Sequence, residues 1–370
     1  FYDEFSKALN DPDCPLSPVG RAITQVIFGK NQTNRREILE FAFDHPEALE
    51  GDSIDSNNRL LVVVGGHRTG STLLQNLLSQ DPGARTPHVW EMTKTIPPIT
   101  NESEIFTDKR ILEVDKDVRQ VGYICHLWLA NFIKMHYYSA TNPEEDCMIL
   151  FNVFSYWYTS YLLHGQNPEL PNILRERAAY ICRYLHLFLK ILDFSCPPKS
   201  HWVTKNPDHS QYLPDLLKEF PEANVVVSHR NPCSVVGSWT LFNLVANHAS
   251  LYNDFAERKI DALTPEGWGK LWLRQCAGEI GQLAKDRELM KKENPELEKR
   301  IFDVSYSELV ADPEAVIRKI YKHFGYEFTP EYQEKIKQYM ENNPKGKHGK
   351  VSYSLDSFCL NKETVESSFS

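Results

Sequence analysis

Leu60-Leu61-Val62-Val63-Val64 is an unbroken apolar run that leads into Gly65-Gly66 and then, from Ser71, into leucines at 73, 74, 77 and 78. An apolar run without alternation predicts a strand covered on both faces, and the leucine spacing predicts a helix packed by one face. The helix signal stops at Gln80-Asp81-Pro82-Gly83. Similar strand signals lie at 201–205, 223–228 and 300–304, with helices expected at 313–323 and 330–341. Residues 1–57 read as helical, with Ile38, Leu39, Phe41, Ala42 and Phe43 forming an apolar face before Pro46. Residues 108–200 have no Gly-rich break over most of their length and are dense in aromatics, including Tyr123, Trp128, Phe132, Phe154 and Trp157, as expected of helices packed on a sheet. Residues 266–298 predict a long charged helix with a solvated face. Together these signals predict an α/β protein: a P-loop-like three-layer fold with a central parallel sheet over 58–370, a helical insertion at 108–200, and a helical leader at 1–57 packed on the core.

The chain has 370 residues, 41% of them hydrophobic, enough for a large core. Its net charge of −9 argues against a nucleic-acid partner. It does not argue against an anionic ligand, since only the pocket need be positive. No apolar run reaches the roughly 18 residues of a membrane span, so no integral membrane segment is expected. The eight cysteines show no regular spacing, which suggests reduced or buried thiols, and no Cys/His cluster has zinc spacing, so no metal is expected. A cytoplasmic location is expected ahead of a secretory lumen, and a homodimer is compatible with the composition.

The strand–turn–helix at 60–78 is the unit of a phosphate-binding site. Backbone N–H groups of the loop and of the helix N-terminus offer partial positive charge to an anion. Gly65, Gly66 and Gly70 allow close approach, Thr69, Ser71 and Thr72 add hydroxyls, and Arg68 adds a fixed cation. Gly65-Gly66-His67-Arg68-Thr69-Gly70-Ser71 lacks the Lys of the nucleoside-triphosphate motif, which counts against a kinase or ATPase. A second strand signal, Asn224 to Ser228, runs into His229-Arg230-Asn231-Pro232 and then a helix start containing Ser238. Ligands of α/β sheets bind beyond the carboxyl ends of strands, where Arg230 falls.

The Arg68-Thr69-Gly70-Ser71-Thr72-Leu73-Leu74 run resembles the 5′-phosphosulfate loop of sulfotransferases that use 3′-phosphoadenosine 5′-phosphosulfate (PAPS). It is most like the branch with an Arg-type loop, which includes tyrosylprotein sulfotransferases and bacterial-type small-molecule enzymes. The Arg230…Ser238 pair resembles that family's 3′-phosphate clamp. Val203-Thr204-Lys205-Asn206-Pro207, the stretch from Phe302 to Pro313, and the basic tail from Asn343 to Leu355 also match family segments. The resemblance implies an enzyme that transfers the sulfuryl group of PAPS to a hydroxyl and releases PAP, the 3′,5′-bisphosphate.

The same resemblance implies roles. Glu91 stands where that branch carries its catalytic base, with His88 as rival. Arg68 and Lys205 are the candidates for stabilising the bridging oxygen and the sulfonate. Tyr306 is a candidate for nucleotide contact, and Lys347 and Lys350 for the 3′-phosphate. His126, His136 and Asn142-Pro143-Glu144-Glu145-Asp146-Cys147 are candidates for shaping the acceptor site, although paired acids at a helix start are more often caps favoured by the dipole. The aromatic insertion favours a small lipophilic or phenolic acceptor. A peptide tyrosine is the runner-up, and a non-catalytic or kinase-like nucleotide binder is the reading from another class.

Overall fold

A computed structural model describes residues 16–50, 59–124, 132–153, 175–248, 264–344 and 351–369, besides the single residues 7, 10, 54, 346, 347 and 349. The expectations for Trp128, His126, Phe154, Trp157 and Lys350, and for the side chain of Tyr123, lie outside the described residues. The chain opens with helix α1 (Pro18–Asp44), followed by β1 (Leu60–Gly65), α2 (Ser71–Leu78), α3 (Val89–Thr93), α4 (Arg110–Ile124), α5 (Cys147–Leu150) and α6 (Ala178–Ser195). Then come β2 (Trp202–Lys205), α7 (Leu213–Glu219), β3 (Asn224–His229), α8 (Pro232–His248) and α9 (Pro265–Glu293). The chain ends with β4 (Ile301–Ser305), α10 (Tyr306–Ala311), α11 (Pro313–Phe324), α12 (Pro330–Asn342) and α13 (Lys362–Ser368). Several helix starts follow one rule: Ser17-Pro18, Thr264-Pro265, Asp312-Pro313 and Thr329-Pro330 each set a capping oxygen before a proline whose missing N–H is not needed there.

The four strands form one parallel sheet in the order β2-β1-β3-β4. β1 is central, with Val63 beside Lys205 on one side and Gly65 beside Ser228 on the other. Its side chains alternate between two cores. Leu61 and Val63 join Leu74, Leu77, Ile317, Ile320 and Tyr321, while Leu60, Val62 and Val64 join Leu185, Phe188, Leu192 and Trp272. Burial on both faces is why the run carries no polar residue. The four strands run parallel, so Gly65 and Lys205, which end β1 and β2, and Arg230 and Tyr306, which follow β3 and β4, lie at one edge of the sheet. The leader docks on this body: Asn34 Nδ2 donates to the Met92 carbonyl at 2.8 Å and its Oδ1 accepts from Thr95 N–H at 3.0 Å, both buried.

α9 departs from expectation. It ends at Glu293, where Asn294-Pro295 starts a 3-10 turn, and it is a core helix rather than a solvated one. Trp268, Leu271, Trp272, Cys276, Leu283 and Met290 form a buried stripe that the surrounding charge concealed, and Glu279 and Asp286 are buried with them. Among the described residues no helix is long and apolar enough to cross a membrane, and Cys147, Cys182, Cys196, Cys233, Cys276 and Cys359 are free thiols.

Candidate active site

The turn after β1 is held in an unusual shape. Gly65 (φ 121°), Arg68 (φ 63°) and Gly70 (φ 92°) all adopt left-handed backbone conformations. A Cβ at Gly65 would lie 2.4 Å from the Ser228 carbonyl, and one at Gly70 would lie 2.7 Å from the Tyr306 ring. The Thr69 hydroxyl lies 2.7 Å from the Gly66 carbonyl and 2.6 Å from Ser228 Oγ, so it fastens the loop to β3. The Thr69 side chain therefore faces inward; Gly70 caps α2, Ser71 is buried and Thr72 is exposed.

Around this loop the cations converge. Arg68 Nε donates to Ser238 Oγ at 3.1 Å and Nη2 to the Met135 carbonyl at 3.3 Å. Arg230 Nη1 donates to the Arg68 carbonyl at 2.9 Å, and its guanidinium stacks 4.3 Å from the Tyr306 ring. Burial and the Arg230 charge hold the Arg68 pKa below its ordinary value. Lys205 is fully buried at the end of β2, with Nζ 2.6 Å from Glu145 Oε1 and 3.8 Å from Glu144 Oε1. Burial works against its charge, but Glu145 and Glu144 outweigh it and the pKa is raised.

The acids of 144–146 are not a helix cap. Asp146 precedes α5 without capping it through its side chain. Instead its carboxylate binds Asn206 Nδ2 (2.8 Å) and His209 Nε2 (2.8 Å). Glu144 binds His136 Nε2 at 2.6 Å, and its carbonyl accepts from Gln75 Nε2 of α2. Glu145 is left facing Lys205. Burial raises its pKa, but Lys205, His67 and His136 bring it down to about 2.

Glu91 and His88 form a separate buried cluster. Glu91 Oε1 lies 2.5 Å from Arg85 Nη2, while Oε2 accepts from the His88 N–H at 3.0 Å and lies 3.2 Å from its Nδ1. Burial would raise this carboxyl; Arg85 and His88 overcome it and hold it at about 2. The Glu91 side chain is 2% exposed and that of Glu145 22%. A backbone bridge between His88 and Pro143 brings this cluster beside the 144–146 acids.

Comparison with known proteins bears on this geometry. A family model described as the Sulfotransferase family matches residues 61–330. The chain belongs to the sulfotransferase family. Its matched span contains β1 through β4 and every cation just described. The omega-hydroxy-beta-dihydromenaquinone-9 sulfotransferase Stf3 of Mycobacterium bovis is 22% identical over 291 residues, covering 76% of this chain and 67% of that protein, and the Stf3 of Mycobacterium tuberculosis matches equally. The solved sulfotransferase STF9 of Mycobacterium avium shares the fold at a TM-score of 0.80 and 24% identity, over 98% of this chain and 86% of that one. The sulfotransferase STF1 of Mycobacterium tuberculosis does so at 0.78 and 20%, over 99% and 90%.

In this sulfotransferase, Arg68, Gly70, Arg230, Ser238 and Tyr306 are joined by direct contact, and Lys205 adjoins them through Glu145, whose charge acts on Arg68. Lys347 stands apart: its Nζ donates to Asn343 Oδ1 at 3.0 Å on its own exposed segment. The tail reaches the site by Tyr353, which donates to the Ser234 carbonyl at 3.1 Å and covers Gly237. Sequence reasoning missed a buried cluster behind the loop. His67 Nε2 lies 3.4 Å from Asp208 Oδ1 and 3.9 Å from Glu279 Oε1, and the imidazole stacks on Trp239 at 3.9 Å. His67 sits inside the first phosphate loop and Asp208 directly follows the Lys205-Asn206-Pro207 segment, but nothing local ties either to Glu279.

Proposed function

We propose that this sulfotransferase moves the sulfuryl group of PAPS to the hydroxyl of a small lipophilic acceptor. The observation that carries the donor is the contact chain Ser238–Arg68–Arg230–Tyr306 at the carboxyl edge of the sheet. The residues fit a nucleotide with two anionic ends. The left-handed loop and α2 suit the 5′-phosphosulfate, and Arg230 with Ser238 suits the 3′-phosphate. These cations are concentrated there although the chain carries −9 overall. The acceptor reading is supported by an aromatic wall beside Arg68: Phe242 lies 5.5 Å from its guanidinium, Trp239 stacks on Phe242 at 5.1 Å, and the Phe132 ring sits tilted against it at 5.6 Å. Stf3, by its name, acts on a lipophilic quinone derivative. A peptide tyrosine is the second acceptor to test.

The donor supplies an activated sulfonate. The acceptor oxygen forms the new S–O bond, the bond from sulfur to the 5′-phosphate oxygen breaks, and PAP leaves with the electron pair. Arg68 and Lys205 neutralise that growing charge. Two carboxylates stand as proton acceptors. Glu145 adjoins Lys205 and is partly open, whereas both oxygens of Glu91 are engaged by Arg85 and His88. We assign the proton transfer to Glu145, with Glu91 and His88 as the alternatives.

The deciding experiment is calorimetric binding of PAP against ATP and ADP without metal. Micromolar binding of PAP with much weaker ATP supports the donor; preference for ATP overturns it. Arg230→Ala is expected to weaken PAP by at least about 100-fold, or roughly 2–4 kcal/mol. Unchanged affinity would remove Arg230 from the clamp. Given a donor, sulfation of long-chain alcohols and phenols but not of tyrosine peptides supports the acceptor class, and the converse overturns it.

A further inference from the structure

His67 directly precedes Arg68, whose backbone is left-handed and whose carbonyl receives Arg230. Its imidazole is buried between elements far apart in sequence. Asp208 faces it from the 207–211 turn, Glu279 from α9, Glu145 from the acid segment, and Trp239 stacks on it from α8. Beyond Glu145 stands Lys205. On the same turn, Gly66 packs against Ile280, the neighbour of Glu279. Two buried carboxyls and one imidazole cannot all stand uncompensated in a dry interior. Gln275 donates to Glu279 Oε1 at 2.7 Å, and the His67, Asp208 and Glu279 side-chain atoms lie within 4.8 Å of one another, close enough to share protons.

We propose that His67, Asp208 and Glu279 form a proton-holding cluster that positions Arg68 and makes donor binding at the loop pH-dependent. It rests on the donor reading above. With an imidazolium, one carboxylate and one carboxylic acid, the cluster is neutral and draws the turn onto α9 and the 207–211 turn. Loss of the Glu279 proton leaves a net negative charge beneath the anion-binding loop, which opposes an anionic donor there. Burial raises the Glu279 carboxyl, with Asp208 adding to it against His67 and Gln275, to about 7. Burial opposes the His67 imidazolium, yet Glu279 and Asp208 outweigh it and raise its pKa. Both directions keep protons in the cluster near neutral pH.

Glu279→Gln keeps the shape and fixes the neutral state. Wild type and E279Q are expected to bind PAP alike at about pH 6, and E279Q about three- to tenfold tighter at about pH 8.5, the order that one nearby buried charge gives. Both share the ligand's own titration, so their ratio isolates the cluster. A ratio independent of pH overturns the proposal. Should E279Q not fold, nitrogen-15 histidine NMR of the wild type decides: an imidazolium at His67 at about pH 7 supports the proposal, and a neutral ring at about pH 6 overturns it. One tightly held zinc or manganese ion per purified chain would also overturn it. Absence of PAP binding by wild type at any pH would sink the donor reading instead, leaving the NMR test of the cluster intact.

Discussion

Two carboxylates with similar pKa values, Glu91 and Glu145, differ in what surrounds them, and the proposed division of roles rests on that difference. Both are held down to about 2, so acidity does not distinguish them. Accessibility and contact do. Glu91 ties Arg85 to the start of α3, and Arg85 in turn donates to the Cys196 carbonyl at the end of α6. Removing its charge strands a buried guanidinium. Glu91→Gln is therefore expected to cost about 3–5 kcal/mol of stability, read as a lowered Tm. Glu145→Gln is expected to keep PAP binding while cutting turnover on the order of 10²–10⁴-fold. The reverse pattern, with E145Q active and E91Q stable but slow, would return the base to Glu91. His88→Ala losing turnover while both Gln variants keep it would give the role to His88.

At the scale of elements, the loop between β1 and α2 depends on residues that lack a Cβ. Gly70→Ala places a methyl group 2.7 Å from the Tyr306 ring at a backbone φ of 92°. Tyr306 also stacks on Arg230, so the clash reaches the nucleotide clamp. The variant is expected to lose about 1–3 kcal/mol and to bind PAP at least tenfold more weakly; unchanged PAP affinity would show that the loop tolerates the shift. This strand–turn–helix was the most legible part of the sequence, since strand, glycines and helix are contiguous and each imposes its own pattern. The late strand at 301–305 and the helices at 313–324 and 330–342 were legible for the same reason. α9 was misread because charged residues around Trp268, Trp272 and Cys276 resemble a solvated face until its packing partners are known. The partners of Glu144, Glu145 and Asp146 were hidden too: Gln75 and Lys205 lie far off along the chain, and only the closed sheet brings them beside Pro143.

Across the whole molecule, buried acids divide into two groups that act on stability in opposite directions. Burial raises Glu91 and Glu145, but Arg85 and Lys205 pull them from 4.5 down to about 2. There the folded state binds fewer protons than the unfolded chain, so their contribution is present above 4.5 and is lost as pH falls towards 2. Glu279 moves the other way, from 4.5 up to about 7. The folded state binds the extra proton, and the contribution disappears as pH rises from 4.5 through 7. His67, raised above 6.5, adds to that alkaline loss. A chain with both groups is expected to be most stable on the mildly acidic side of neutrality. Between about pH 6 and pH 8.5 the wild type should lose a few degrees of Tm, Glu279 carrying roughly 1.4 kcal/mol of it, since about one pH unit of that window lies below its folded value. Scanning calorimetry on wild type and Glu279→Gln checks this directly, because the glutamine cannot titrate. A flatter alkaline limb in the variant means that the cluster behind the donor loop sets it. Parallel limbs would place the alkaline loss elsewhere and leave Glu279 ionised in the fold, a charge that its burial and the nearby Asp208 make hard to sustain.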